Sequence, residues 1–76
     1  MITYDEAKRV ENIKKHGFDF EGCEVIFEKP TLTNEDRNSD HGEIRLLTLG
    51  IYNGEVVFVV HIPREDSDHI ISIRKA

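Results

Sequence analysis

The sequence predicts an α+β domain, with two N-terminal helices packed on one face of a small antiparallel sheet. Three observations lead there. Capped stretches of helical periodicity fill the first thirty residues, β-branched runs flank Asn53-Gly54, and a further β-rich run ends at Arg74. With 76 residues, 38% of them apolar and 33% charged, the chain has material for one domain over 1–76 and one modest core.

Taken in order, Ile2 to Tyr4 reads as extended. Thr3 followed by Glu6 has capping-box spacing, Ala7, Val10 and Ile13 line one face, and Gly17 stands at the C′ position, so the first helix runs about three turns. Asp19 is a good N-cap for a second helix carrying Phe20, Cys23, Ile26 and Phe27 before Pro30; Gly22 keeps it short. Thr31 to Asn34 adds a short edge strand, and Asn34 to Gly42 is loop-like in composition. Ile44–Ile51 and Val56–Ile62 form a hairpin about Asn53-Gly54, because both turn residues tolerate the positive φ that a tight two-residue turn demands. That register sets Ile51 opposite Val56, Leu49 opposite Phe58, Leu47 opposite Val60 and Arg45 opposite Ile62. This nearly all-apolar set is the expected core face. Tyr52, Gly50, Thr48, Leu46, Val57, Val59 and His61 then occupy the open one. After a polar loop, Pro63 to Asp68, a last strand, His69–Arg74, is expected to put Ile71 and Ile73 on the core face, leaving Arg74 on the open face beside His61.

Charge narrows the function classes. Ten basic against fifteen acidic residues give −5, so the overall field does not favour nucleic acid and any such contact is local. The acidity is concentrated in residues 17–43, with eight acidic and two basic residues. It meets either solvent or a basic partner surface. A lone cysteine, Cys23, excludes an intramolecular disulfide and sits on an apolar stripe as a core residue. Nothing after Met1 reads as a secretory signal, and the longest apolar run, Val56–Val60, is far below the roughly 20 residues a membrane span needs. A cytoplasmic protein without membrane contact is expected. Cys23, His16, His41, His61 and His69 lack the close spacing of a zinc site, so no metal or cofactor is expected.

His61 draws attention because imidazole titrates near neutrality and this one is expected at the end of a buried run, on the uncovered face; ending the strand at the surface is the plainer reading. Arg64 and Arg74 with Lys75 come from separate segments, and their convergence would stabilise charge on a phosphorane, arginine doing so through a bidentate fork. A solvated surface is the plainer reading here too. Lys15 and His16 close the first helix, where positive charge complements the macrodipole, and they can also meet a phosphate backbone. Glu43 and Arg45 share a face, near the edge of the expected core side, where a charged pair is structural rather than catalytic.

Tyr4-Asp5-x-x-Lys8, Asn12-x-x-Lys15-His16-Gly17, Phe20-Glu21, Phe27, Pro30, Glu43-x-Arg45, Gly50, Val59-Val60-His61, Arg64 and Ile70-Ile71-Ser72-x-Arg74-Lys75-Ala76 follow one another in an order that resembles the BrnT toxins of bacterial type II toxin–antitoxin systems, within the RelE/ParE-like group. The resemblance implies a RelE-like fold, a ribonuclease that arrests growth, and a BrnA-like ribbon-helix-helix antitoxin, with DNA reached only through the toxin–antitoxin complex. Basic site positions carry over to Arg64 and Arg74, with His61 and Lys75 beside them and Lys15, His16 and Arg45 as RNA contacts. The family pattern is expected to run on into a short charged segment beyond Ala76. Two activities follow: metal-independent RNA cleavage by the 2′-hydroxyl, with Arg64 and Arg74 on the scissile phosphate and His61 moving the proton, or a non-catalytic module that captures its antitoxin to form a repressor.

Overall fold

The computed structural model describes residues 1–36 and 43–76. In chain order these are β1 (Ile2–Tyr4), α1 (Glu6–His16), α2 (Glu24–Phe27), β2 (Leu32–Glu35), β3 (Leu46–Tyr52), β4 (Glu55–Pro63) and β5 (Asp68–Lys75). The sheet has five strands in the order β1-β5-β4-β3-β2. It is mixed rather than antiparallel, because β1 pairs parallel to β5, Ile2 to Tyr4 against Asp68 to Ile70. The loop expected over Asn34–Gly42 lies outside the described residues from position 37 onward, as does His41; Asn34 and Glu35 belong to β2.

Local chemistry accounts for each boundary. Helix α1 is capped by Asp5, whose carboxylate accepts the Ala7 N–H at 2.8 Å, and not by Thr3, which is held in β1 with its Oγ1 2.8 Å from His69 Nδ1. Gly17 ends the helix in the left-handed region at φ 78°, its N–H donating to the Ile13 carbonyl. Asp19 caps no helix: it accepts the Glu21 N–H in a turn, Gly22 breaks the chain at φ 85°, and α2 shrinks to one turn. The hairpin forms at Asn53 and Gly54, at φ 52° and 79°, with every expected pair from Leu46–His61 to Tyr52–Glu55 in register.

That register holds, but the faces are the reverse of expectation. Tyr52, Gly50, Thr48, Val57, Val59 and His61 are buried beneath the helical layer, where they meet Phe18, Phe20, Cys23, Ile26, Ile70 and Ile73. Leu47, Leu49, Phe58 and Val60 are only half-buried on the far face, and Ile51 and Val56 are about half exposed, at 45% and 49%. Gly50 shows the reason. A Cβ there would stand 2.6 Å from Ile26 Cγ2, so the sheet face of small residues is the one α2 can approach closely. Strand β5 is also shifted: an irregularity between Val60 and His61 makes Ile70 face His61 and Ser72 face Val60, putting Ile70 and Ile73 in the core and Arg74 opposite Phe58.

Helix α1 leaves Val10 and Ile13 about 40% exposed and buries Asn12 instead. The Asn12 amide donates to the carbonyls of Ile73 and Phe18, both at 2.9 Å, and its oxygen accepts the Ile73 N–H at 3.1 Å. Replacing Asn12 by alanine leaves three buried backbone groups unsatisfied and is expected to cost about 3 kcal/mol. Urea denaturation checks it; a loss under about 1 kcal/mol, the size of one ordinary hydrogen bond, rejects the role.

Candidate functional site

The helix side of the sheet is filled, so a ligand meets the open face. Registered rows across that face read Leu32, Leu49, Phe58, Arg74 and Asn34, Leu47, Val60, Ser72. A further row holds Ile62 and His69, with Thr3 beyond; Arg45, continuing the alternation of β3, joins it opposite Ile62. The face is therefore apolar in its middle and cationic at two ends. At one end the Arg74 guanidinium lies over the Phe58 ring, 5.3 Å from its centroid, a cation–π contact that leaves Arg74 exposed to solvent. At the other end stand Arg45, half-buried, with its Nε buried and unpartnered, and His69 against Thr3. Arg64 follows two residues after Ile62, exposed in a tight turn whose Arg64 and Ser67 backbones bond each other.

The expected site residues are thereby divided. Arg74 faces Phe58, with its guanidinium over that ring, whereas Arg64 lies past the other end of β4, about 20 Å away along the strand. The expected convergence of Arg64 and Arg74 does not occur. His61 is on the opposite face from Arg74, 3% exposed, because the alternation of Val57, Val59 and His61 along β4 carries it under α2. Its Nε2 lies 2.7 Å from Thr48 Oγ1, its Nδ1 3.0 Å from Asp68 Oδ1, and Phe27 packs edge-on at 5.2 Å. Thr33 Oγ1 extends the chain to Thr48 at 2.8 Å, so one hydrogen-bonded line crosses β2, β3, β4 and the start of β5. Lys75 opposes Val57, also on the helix side, 3.6 Å from Glu55. Lys15 and His16 line a groove of about 190 Å³ between α1 and β5, with Lys15 3.8 Å from Glu11. The sequence reading missed Phe58 and His69 as site residues; one further register step at β5 would have found both.

The layer beneath is set by charge. Arg9 reaches from α1 to Asp19 through two hydrogen bonds, 2.7 and 3.1 Å, and to Glu6 at 2.7 Å. Those partners raise the Arg9 pKa, while Arg9 and the Glu21 N–H hold the Asp19 carboxyl below the usual range. Tyr52 sets its hydroxyl against the Asp19 and Glu21 carbonyls, at 2.9 and 3.2 Å. Burial pushes the Cys23 thiol up to about 12, which leaves it a packing residue. Among the described residues no three histidine, cysteine, aspartate or glutamate side chains gather as a metal site, and no helix is long and apolar enough to cross a membrane.

An open, cation-ended sheet face is the setting in which comparison with known families decides the class. The model of the ribonuclease toxin BrnT, of type II toxin–antitoxin systems, matches residues 4–76. The chain belongs to the BrnT family. No curated protein matches it. Membership makes this a ribonuclease toxin with an antitoxin partner and an RNA substrate, carried on a mixed sheet with two helices.

The Arg9–Asp19 pair carries a pH signature. A carboxyl lowered in the folded state contributes its full stability above the unfolded pKa, about 3.9, and loses it as pH falls through the folded value. Thermal unfolding of wild type and Asp19→Asn should therefore differ most near neutrality and converge as pH falls below the ordinary carboxylate range. Parallel curves across that range would show that the pair contributes no pH-dependent stability.

Proposed function

We propose that this BrnT chain acts as a single domain over 1–76, RelE-like in its two-layer plan, and cuts RNA without a metal on the open sheet face. The observation that carries this placement is the face itself: cations at both ends, half-buried apolar side chains between them, and the other face filled by core. From the Ile62 row to the Phe58 row is four residues of β4, about 13 Å, a span over which single-stranded RNA can set phosphates about two nucleotides apart against Arg45 and Arg74. Phe58 offers a ring beside Arg74 on which a base stacks.

The chemistry needs a proton acceptor, a proton donor and positive charge at phosphorus. The 2′-oxygen attacks phosphorus as its proton leaves to a base, the bond to the 5′-oxygen breaks, and that oxygen takes up a proton; the products are a 2′,3′-cyclic phosphate and a 5′-hydroxyl. Arg45 and Arg64 supply charge at the end where His69, unlike His61, stands on the open face and can move protons. Arg74 holds the more distant phosphate. His61 serves stability, its two ring nitrogens tying β4 to Thr48 and Asp68. Lys15, His16 and Lys75, on the helix side, contact RNA only where it passes the β5 edge.

The partner is a BrnA-like antitoxin with a ribbon-helix-helix part, so DNA is met only through the complex, and both act in the cytoplasm. The eight acidic residues of segment 17–43 support a basic antitoxin surface. The capture-only reading shares this partner and differs in lacking cleavage.

Purified protein is expected to cut RNA in EDTA. Arg74→Ala, Arg45→Ala and His69→Ala should each lower the rate by about 10²-fold with unchanged melting. His61→Gln should lower stability while cleavage per folded molecule persists. Cooperatively folded wild type that leaves RNA intact would establish the capture-only module instead.

A further inference from the structure

Strand β2 is the outer edge of the sheet, and all four of its residues are exposed, Leu32 at 68%. Among the described residues no strand pairs with its outer side, which presents backbone N–H and C=O groups to solvent. Beside it lies an apolar groove of about 270 Å³, lined by Pro30, Leu32, Leu49, Ile51 and Val56. The opposite border of the sheet is closed differently. Strand β1 covers the first half of β5, and Asn12 occupies both backbone groups of Ile73 in the second. A strand can be added at β2 and is blocked at Ile73.

Charge selects what is added. Glu28 and Lys29 precede β2, Glu35 lies in it and Glu43 follows, all exposed, three acidic groups against one basic. Two copies pairing through this edge would bring like charges together, which disfavours a self-paired dimer. A segment that alternates apolar and basic side chains satisfies both features: one set fills the groove and the other meets the carboxylates.

We propose that β2 is the docking strand for the antitoxin, which adds a basic, extended segment as a sixth strand with its apolar side chains in the groove against Leu32, Leu49, Ile51 and Val56. The inference rests on the antitoxin reading above and assigns it a place. It also explains why so apolar a groove stays uncovered in the toxin alone.

Hydrogen exchange of the toxin, free and bound to its cognate antitoxin, tests the added strand. Backbone amides within 31–35 should slow by at least about tenfold on binding, as newly paired edge amides do. Glu35→Lys should weaken antitoxin binding by about tenfold, 1.4 kcal/mol, while melting temperature and RNA cleavage stay at wild-type values. Tight binding with exchange at 31–35 unchanged overturns the docking site and leaves the antitoxin reading intact. Failure of folded wild type to bind the antitoxin overturns both. Concentration-dependent protection of 31–35 in the free toxin identifies a second copy as the occupant and overturns the proposal.

Discussion

A single carboxamide decides how the two layers of this domain meet. Strand β1 is three residues long and runs out at Tyr4, so among the described residues no strand lies beside β5 beyond Ile70. Bare backbone at that edge costs free energy if buried and invites pairing if exposed. Asn12 resolves both, because a primary amide presents a donor and an acceptor in the geometry of a peptide group and so completes the ladder at Ile73. Its second N–H takes the Phe18 carbonyl, which anchors the segment that brings Phe18, Phe20, Cys23 and Ile26 over the sheet. Helix α1 is therefore held by polar geometry, and its apolar residues Val10 and Ile13 are free to stay exposed.

Once the helical layer is fixed on that side, the remaining chemistry is partitioned. Gly50 and Thr48 make room for Ile26, and His61, buried with them, is satisfied by Thr48 and Asp68 at its two ring nitrogens. A histidine with both nitrogens engaged under a helix has no route to a ligand, whereas His69, on the alternate face, does. Strand alternation separates the two, and the bulge acts further along β5. It lets Ile70 and Ile73 both face the core, and as a consequence it turns Arg74 outward over Phe58.

The parts of the fold governed by local rules were legible in the sequence: the Gly17 stop, the Asn53-Gly54 turn and the hairpin register all follow from residues within a few positions of one another. The parts that failed depend on contacts far apart in the chain. Hydrophobicity pointed to the Leu47, Leu49, Val56 and Phe58 face as core, but close approach of Ile26 to Gly50 is what selects the buried side, and that requires knowing where α2 lands. Likewise Asn12 reads as an ordinary polar helix residue until Ile73, 61 positions later, is set beside it. The site reading carried two errors. Arg64 and Arg74 seemed to converge although antiparallel pairing carries Arg74 to the end of β4 away from the Arg64 turn, and His61 seemed exposed because the faces were exchanged.

The more hydrophobic face being the open one has a functional logic. A small domain gains little by covering a face that its partners must use, and apolar area left exposed by a stable layer beneath is available for binding. Here the area is graded across the sheet. Arg74 and Phe58 lie on β5 and β4, while the groove at β2 is three strand spacings from β5, about 14 Å away. The groove itself reaches Val56 on β4, two residues from Phe58, so substrate and inhibitor would meet near Phe58 and stay apart at β2 and Arg74. A segment paired to β2 alone would leave Arg74 open to RNA, so an antitoxin that silences the toxin must continue from the edge across Leu49 and Phe58 toward the cations. On the proposed docking, the edge would supply affinity through backbone pairing, and inhibition would come from the length of chain that follows it over the face.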